Sequence, residues 1–167
     1  MRDNKGDQFD QVASHSANKE VKGRPTRPEI LDWWETRFEI SRSGFGSYSF
    51  WEKGKGKIWA FHSEIPSPQP VEALGLPVLR TRQEHWKPTT NAVQRFGHMA
   101  TKNVLSLSDV KAKRFIQGET QTIDWEGEWG YLIITHSLAD VDEPLGVGLY
   151  LYGELRSQIP KNRQRTF

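Results

Sequence analysis

The chain has 167 residues, no cysteine, and 23 Lys and Arg against 21 Asp and Glu, for a formal net charge of +2. That length fits one domain plus a tail, and the missing cysteine excludes disulfides, thiolate metal sites and a thiolate nucleophile. No apolar run approaches the roughly 18 residues of a membrane span and the charged N-terminus has no signal-peptide core, so a soluble, cytoplasmic protein is expected.

Residues 1–27 hold six basic and four acidic side chains with no periodicity, and they read as a disordered basic tail. The folded part is expected as one domain over 28–167, with a helix and hairpin in 28–75 and a core in 76–165. Pro28 and Glu29 mark a helix start, after which Ile30, Leu31, Trp34 and Phe38 recur at helical spacing as far as Ile40. Tyr48 to Lys53 and Lys57 to His62 then form a hairpin across Gly54 and Gly56. Its GKGK turn lacks the following helix and the glycine spacing of a phosphate loop, so it reads as a basic turn. Pro66, Pro68 and Pro70 stiffen a loop, and Val71 to Leu74 can form one helical turn. Leu76 to Arg82 is the next strand.

From Thr89 or Thr90 a helix is predicted to about Thr101, with Val93, Phe96 and Met99 or Ala100 inward and Asn91, Arg95, His98 and Lys102 along the other side. Gly97 within it implies a kink or a close backbone approach. Val104 to Leu107 is a strand, and Ser108 caps a helix to Gln117 that turns Val110, Phe115 and Ile116 inward and Lys111, Lys113 and Arg114 outward, with Gly118 as its stop. Strands follow at Thr120 to Ile123, Trp129 to His136 and Gly146 to Tyr152. The last places Gly146 and Gly148 on one face, open to a packed neighbour or a ligand. The order predicts an α+β fold, a small mixed barrel with short flanking helices.

Charge is segregated. Val78 to Arg114 carries eight Lys and Arg against two acids, whereas Gln117 to Leu145 carries seven acids and no Lys or Arg. The five histidines are scattered without metal-ligand spacing, and no hydrolase elbow, Walker loop or dinucleotide fingerprint is present, so neither a metal nor a cofactor is expected. His85 is the best single candidate for a reactive imidazole but has no evident partner. Nucleic-acid binding needs cations for phosphates and flat side chains for unstacked bases, and this region offers both. Arg80, Arg82, Lys87, Arg95 and Lys102 are the expected phosphate contacts, and Trp86 or His85 the base contact. With His98 these residues are expected to make one continuous cationic surface, and the terminal Lys161, Arg163 and Arg165 are further expected RNA contacts.

The segments RFEISRSGFGSYSFWEKGKGKIWAF, LGLPVLRTRQEHWKPTTNAVQRFG, LSDVKAKRFIQGE, WGYLIIT and LGVGLYLYGELRSQIPKNRQR resemble the C-terminal PUA-like RNA-binding region of the Sun/Nol family of RNA cytosine-5 methyltransferases, and related standalone archaeal proteins. The resemblance covers residues 37–165. The matching positions are Leu79 and Arg80, Trp86, Pro88 and Thr89, Gly118 and Glu119, Gly146 and Gly148, and Pro160, Lys161 and Arg163. It implies a PUA-like pseudo-barrel that positions tRNA or rRNA for modification. Arg156 and Ser157 depart from the family's Lys-Asn. The chain also lacks the catalytic domain, and without cysteine it has no thiolate to attack cytosine. The expectation is a non-catalytic RNA-binding protein acting on tRNA or rRNA, in RNA modification or ribosome assembly. The alternative is a protein-interaction subunit serving an RNA-modifying enzyme or ribosomal protein.

Overall fold

A computed structural model describes residues 8–14, 23–65 and 75–165. The chain divides into two compact units, Met1–Thr36 with Ile40–Lys87 and Arg37–Glu39 with Pro88–Phe167, where the sequence predicts one domain. The Pro-rich loop and the helical turn expected at Val71 to Leu74 lie outside the described residues.

The first unit is built on a sheet of order β1-β2-β3-β4-β5. Its strands are β1 (Phe9–Gln11), β2 (Tyr48–Lys53), β3 (Lys57–His62), β4 (Leu76–Arg80) and β5 (Lys87–Pro88), the last lying where the chain passes to the second unit. The hairpin of β2 and β3 falls where its aromatic runs and glycines predict it. Strand β1 does not, because it sits inside the expected disordered tail. It is held there by burial of Phe9 and Val12, with the Phe9 ring edge-on to Trp59 and Phe61 at 5.5 and 5.2 Å. Arg24 adds a bridge to Asp10 at 3.3 Å and to the buried Glu52 at 2.9 Å.

Helix α1 (Arg27–Phe38) opens on a capping box that the sequence spells as Thr-x-x-Glu. The Glu29 amide donates to Thr26 Oγ1 and the Thr26 amide donates to Glu29 Oε1, both at 3.4 Å, so two otherwise unbonded amides are satisfied reciprocally. Ile30 and Trp34 are fully buried, as the helical spacing requires. The Arg27 guanidinium donates to the carbonyls of Tyr48 and Phe45. Burial lowers its pKa from the ordinary arginine value.

The second unit carries a mixed sheet of order β6-β8-β9-β10-β7, with β6 (Val104–Leu107), β7 (Thr120–Thr122), β8 (Gly130–Leu138), β9 (Val141–Leu151) and β10 (Glu154–Ser157). Strands β6 and β8 pair in parallel and the others antiparallel. Strand β9 is longer than predicted, and β10 is an addition. Two tight hairpin turns explain both, Ala139–Asp140 and Tyr152–Gly153, each with positive φ at both residues. That geometry matches the twist of the flanking strands.

Helices α2 (Thr90–Phe96) and α3 (Asp109–Ile116) flank the sheet. Thr89 caps α2 by accepting from the Ala92 amide at 3.0 Å. The helix stops three residues or more short of expectation, continuing only as a 3-10 turn over Gly97–Met99. A Cβ at Gly97 would lie 3.3 Å from Pro144, so the close approach predicted there is real. In α3 the inward residues are Ala112 and Phe115, and Val110, expected inward, is 62% exposed. The spacing of three places Ala112 and Phe115 on one stripe, and Val110 lies off it. The core joins Phe115 to Leu132, Ile134, Tyr150, Leu155 and Ile159. Gly146 and Gly148 face this core. Their missing Cβ atoms make room for Ile159 and Leu155, each 2.5 Å from where the Cβ would stand. The glycine face therefore serves packing.

Candidate nucleic-acid interface

The predicted cationic residues fall into two groups, one in each unit. Arg80, Arg82, His85, Trp86 and Lys87 belong to the first unit, and Arg95, His98, Lys102, Lys161, Arg163 and Arg165 to the second.

In the first unit Arg80 ends β4 and Arg82 follows it, both exposed. Antiparallel pairing sets Lys57 of β3 directly opposite Arg80. The basic turn folds onto the same place, because the Thr81 amide donates to the Gly56 carbonyl at 2.8 Å. Gly56 has φ +76°, and a Cβ there would come within 2.7 Å of the Arg82 backbone nitrogen. Only glycine fits this turn without moving backbone. The result is a pocket of about 420 Å³ lined by Lys55, Gly56, Lys57, Arg80, Arg82 and Gln83. Lys55 and Lys57 were not among the predicted contacts. Their meeting with Arg80 and Arg82 depends on a pairing between segments some twenty residues apart, which the turn's own sequence does not encode.

Strand β5 adjoins β4 and brings Lys87 towards Arg80. Burial lowers the Lys87 pKa from the ordinary lysine value, and the Arg80 charge adds to the effect. Trp86 is half-buried and lies 6.5 Å from Trp33 at an interplanar angle of 35°. His85 is exposed.

In the second unit the 3-10 break ends the helical face, so Asn91 and Arg95 ride on α2 while His98 sits in the short turn and Lys102 lies beyond both. Lys102 is held by Glu128 at 3.1 Å. Glu128 also takes a bond from Arg37 at 3.0 Å, and the hydrogen bond from Lys102 is the main cause that lowers its pKa below the ordinary glutamate value. Arg37 donates further to the Tyr131 carbonyl at 2.7 Å and receives the Asn103 side chain on its own carbonyl. Lys102 and Arg37 therefore share one acid, and Lys102 is tied to this cluster by an ion pair.

The C-terminal cations are arranged differently. Arg163 donates to Asn91 Oδ1 at 2.8 Å and to Gln94 Oε1 at 2.6 Å, which fixes its guanidinium against α2. Both acceptors are neutral amides, so the side chain is oriented while its charge is left uncompensated by them. Gln164 packs over Gly118, and the Arg165 amide donates to the Ile116 carbonyl at 3.3 Å. Lys161 and Arg165 are exposed. Arg163 is thus a guanidinium of fixed orientation, with the exposed Lys161 and Arg165 near it in sequence. Among the described residues no three His, Asp or Glu side chains gather as a metal-binding group, and no helix is long and apolar enough to cross a membrane.

Residues 1–75 match a family of unknown function (DUF7122), and residues 102–165 match the family described as the methyltransferase RsmF PUA domain. A search of curated proteins gave no match. With its mixed sheet and flanking helices, the second unit is a PUA-like domain of the α+β class, similar to that of Sun-type methyltransferases.

Proposed function

We propose that this protein is a non-catalytic RNA-binding protein that acts on tRNA or rRNA in RNA modification or ribosome assembly in the cytoplasm. A PUA-like domain supports RNA binding in general. The observation that carries the reading is Arg163, anchored to α2 by two neutral amides within a region similar to a methyltransferase's PUA domain. Arg95 of α2 and the exposed Lys161 and Arg165 extend the same basic set. Phosphates are taken by these cations, and the fold of the RNA rather than a linear sequence is read.

The test is fluorescence anisotropy of a labelled structured RNA with the full chain over a salt series. Arg95→Glu is expected to weaken binding and to lower the slope of log affinity against log salt by about one unit. An unchanged affinity and slope would remove α2 from the interface. A second reading, a protein-interaction subunit, is favoured by one observation. Leu138 and Val141 stand 56% and 57% exposed at the tip of the β8–β9 hairpin. A partner captured by the wild type after nuclease treatment, and lost on Leu138→Ser with Val141→Ser, supports that reading.

A further inference from the structure

The RNA-binding reading above concerns the second unit, yet a further basic feature, a pocket, lies in the first. Four cations, Lys55, Lys57, Arg80 and Arg82, surround a pocket of about 420 Å³ whose remaining lining is Gly56 and Gln83. Among the described residues no carboxylate lines it. Lys57 and Arg80 are direct cross-strand neighbours, a like-charge pairing that disfavours the sheet unless an anion sits between them. The acid that reaches the turn, Glu52, is committed to Arg24. Glu52 is buried, accepts from Arg24 at 2.9 Å, and accepts from the Gly56 amide at 3.2 Å. Glu52 thus shapes the turn from beneath while its charge is answered by Arg24. Among the described residues, no ion pair joins Lys55, Lys57, Arg80 or Arg82 to an acid.

The chemistry selects the ligand. Two guanidinium groups can each present a pair of donors to phosphate oxygens, and two ammonium groups supply further charge. The turn does not act as a phosphate loop, since Gly56 spends its amide on Glu52 and no helix follows. Recognition comes from side chains on two strands and a turn. The volume lies in the range of sites that take a nucleotide-sized group. We propose that this pocket is a phosphate-binding site of the first unit that takes a phosphodiester of the bound RNA. It gives the protein an RNA contact outside its PUA-like domain. This rests on the RNA-binding reading for the source of the phosphate.

The test uses the full chain carrying Lys55→Gln and Lys57→Gln, two exposed positions where glutamine keeps a polar side chain and removes the charge. Anisotropy with a labelled RNA stem-loop is read across a salt series, with circular dichroism to establish that the variant folds. Weakening this one phosphate contact is expected to lower affinity about tenfold at low salt and the salt slope by up to about one unit. A wild type that binds RNA alongside a double variant with the same affinity and slope overturns the pocket and leaves the RNA-binding reading standing. A parallel arm follows Tm with inorganic pyrophosphate. If the wild type binds no RNA but pyrophosphate raises its Tm and not the variant's, the RNA assignment and the proposed function both fall, and the pocket belongs to a free phosphate compound. If neither RNA nor pyrophosphate acts on the wild type, both proposals are overturned. Gly56→Ala supplies an independent variant. A Cβ there displaces the backbone at Arg82 and is expected to reduce RNA affinity with all four cations retained.

Discussion

Gly148→Ala separates the two uses open to the glycine face of β9, packing and ligand approach. A Cβ at this position would stand 2.5 Å from Leu155 Cδ1 and 3.0 and 3.1 Å from Ile134 Cγ1 and Cδ1. Leu155 and Ile134 are fully buried, so neither can swing into solvent to make room. Overpacking of this kind costs about 1 to 3 kcal/mol. Replacing glycine in a strand recovers about 0.5 to 1 kcal/mol of backbone entropy. The net expectation is a destabilisation of up to roughly 2.5 kcal/mol, or a Tm as much as about 10 °C lower for a chain of this size. Thermal unfolding followed by circular dichroism reads it, with Gly153→Asn as a control. Gly153 has φ +81° and open space where its Cβ would stand, a conformation that asparagine tolerates. RNA affinity below the transition is expected to match the wild type. A Gly148→Ala protein that kept its Tm but lost RNA affinity would refute the packing argument and return this face to a ligand.

Two further outcomes follow from the local structure. Thr26→Ala breaks the capping box of α1 and is expected to cost about 1 kcal/mol, lowering Tm by about 2 to 4 °C, with Thr26→Ser restoring most of it; a melting curve that does not move speaks against the cap. Glu128→Gln removes the acid shared by Lys102 and Arg37. Because the folded protein holds Glu128 below its ordinary value of 4.5, its stabilisation is complete above that pH and is lost as pH falls through the lower folded value. The Tm difference between wild type and variant is therefore expected at pH 7 and absent once the pH is below the folded value. A difference that grows on acidification contradicts the assignment.

The parts of the fold legible in the sequence were those written in local patterns. The β2–β3 hairpin follows from aromatic runs parted by two glycines, and α1 from its stripe of Ile30, Trp34 and Phe38. The sequence predicts helix α2 too long because its apolar spacing continues past Gly97, whereas the helix gives way there to a 3-10 turn that lies close to Pro144, far away in sequence. Strand β10 escaped notice because only Leu155 among its four residues is buried. Ala139–Asp140 is also a weak turn signal, since alanine seldom adopts positive φ. Strand β1 was hidden in a polar segment whose order depends on Phe9 meeting Trp59 and Phe61.

The candidate site was legible to the same degree. Residue type alone marked Arg80, Arg82 and Arg163 as cations suited to phosphate. It could not separate Lys102, paired with Glu128, from Arg163, held by neutral amides, because the difference lies in partners brought by tertiary structure. The contribution of Lys55 and Lys57 appears only once β3 and β4 pair in a register interrupted by an irregularity at Ile58 and Trp59.

The most direct measurement of the central claim is ultraviolet crosslinking of the protein in cells, followed by sequencing of the RNA recovered with it. The account predicts enrichment of structured tRNA or rRNA segments, reduced when Arg163 and the Lys55 and Lys57 pair are replaced by glutamine. Recovery of no RNA above the uncrosslinked background would contradict it.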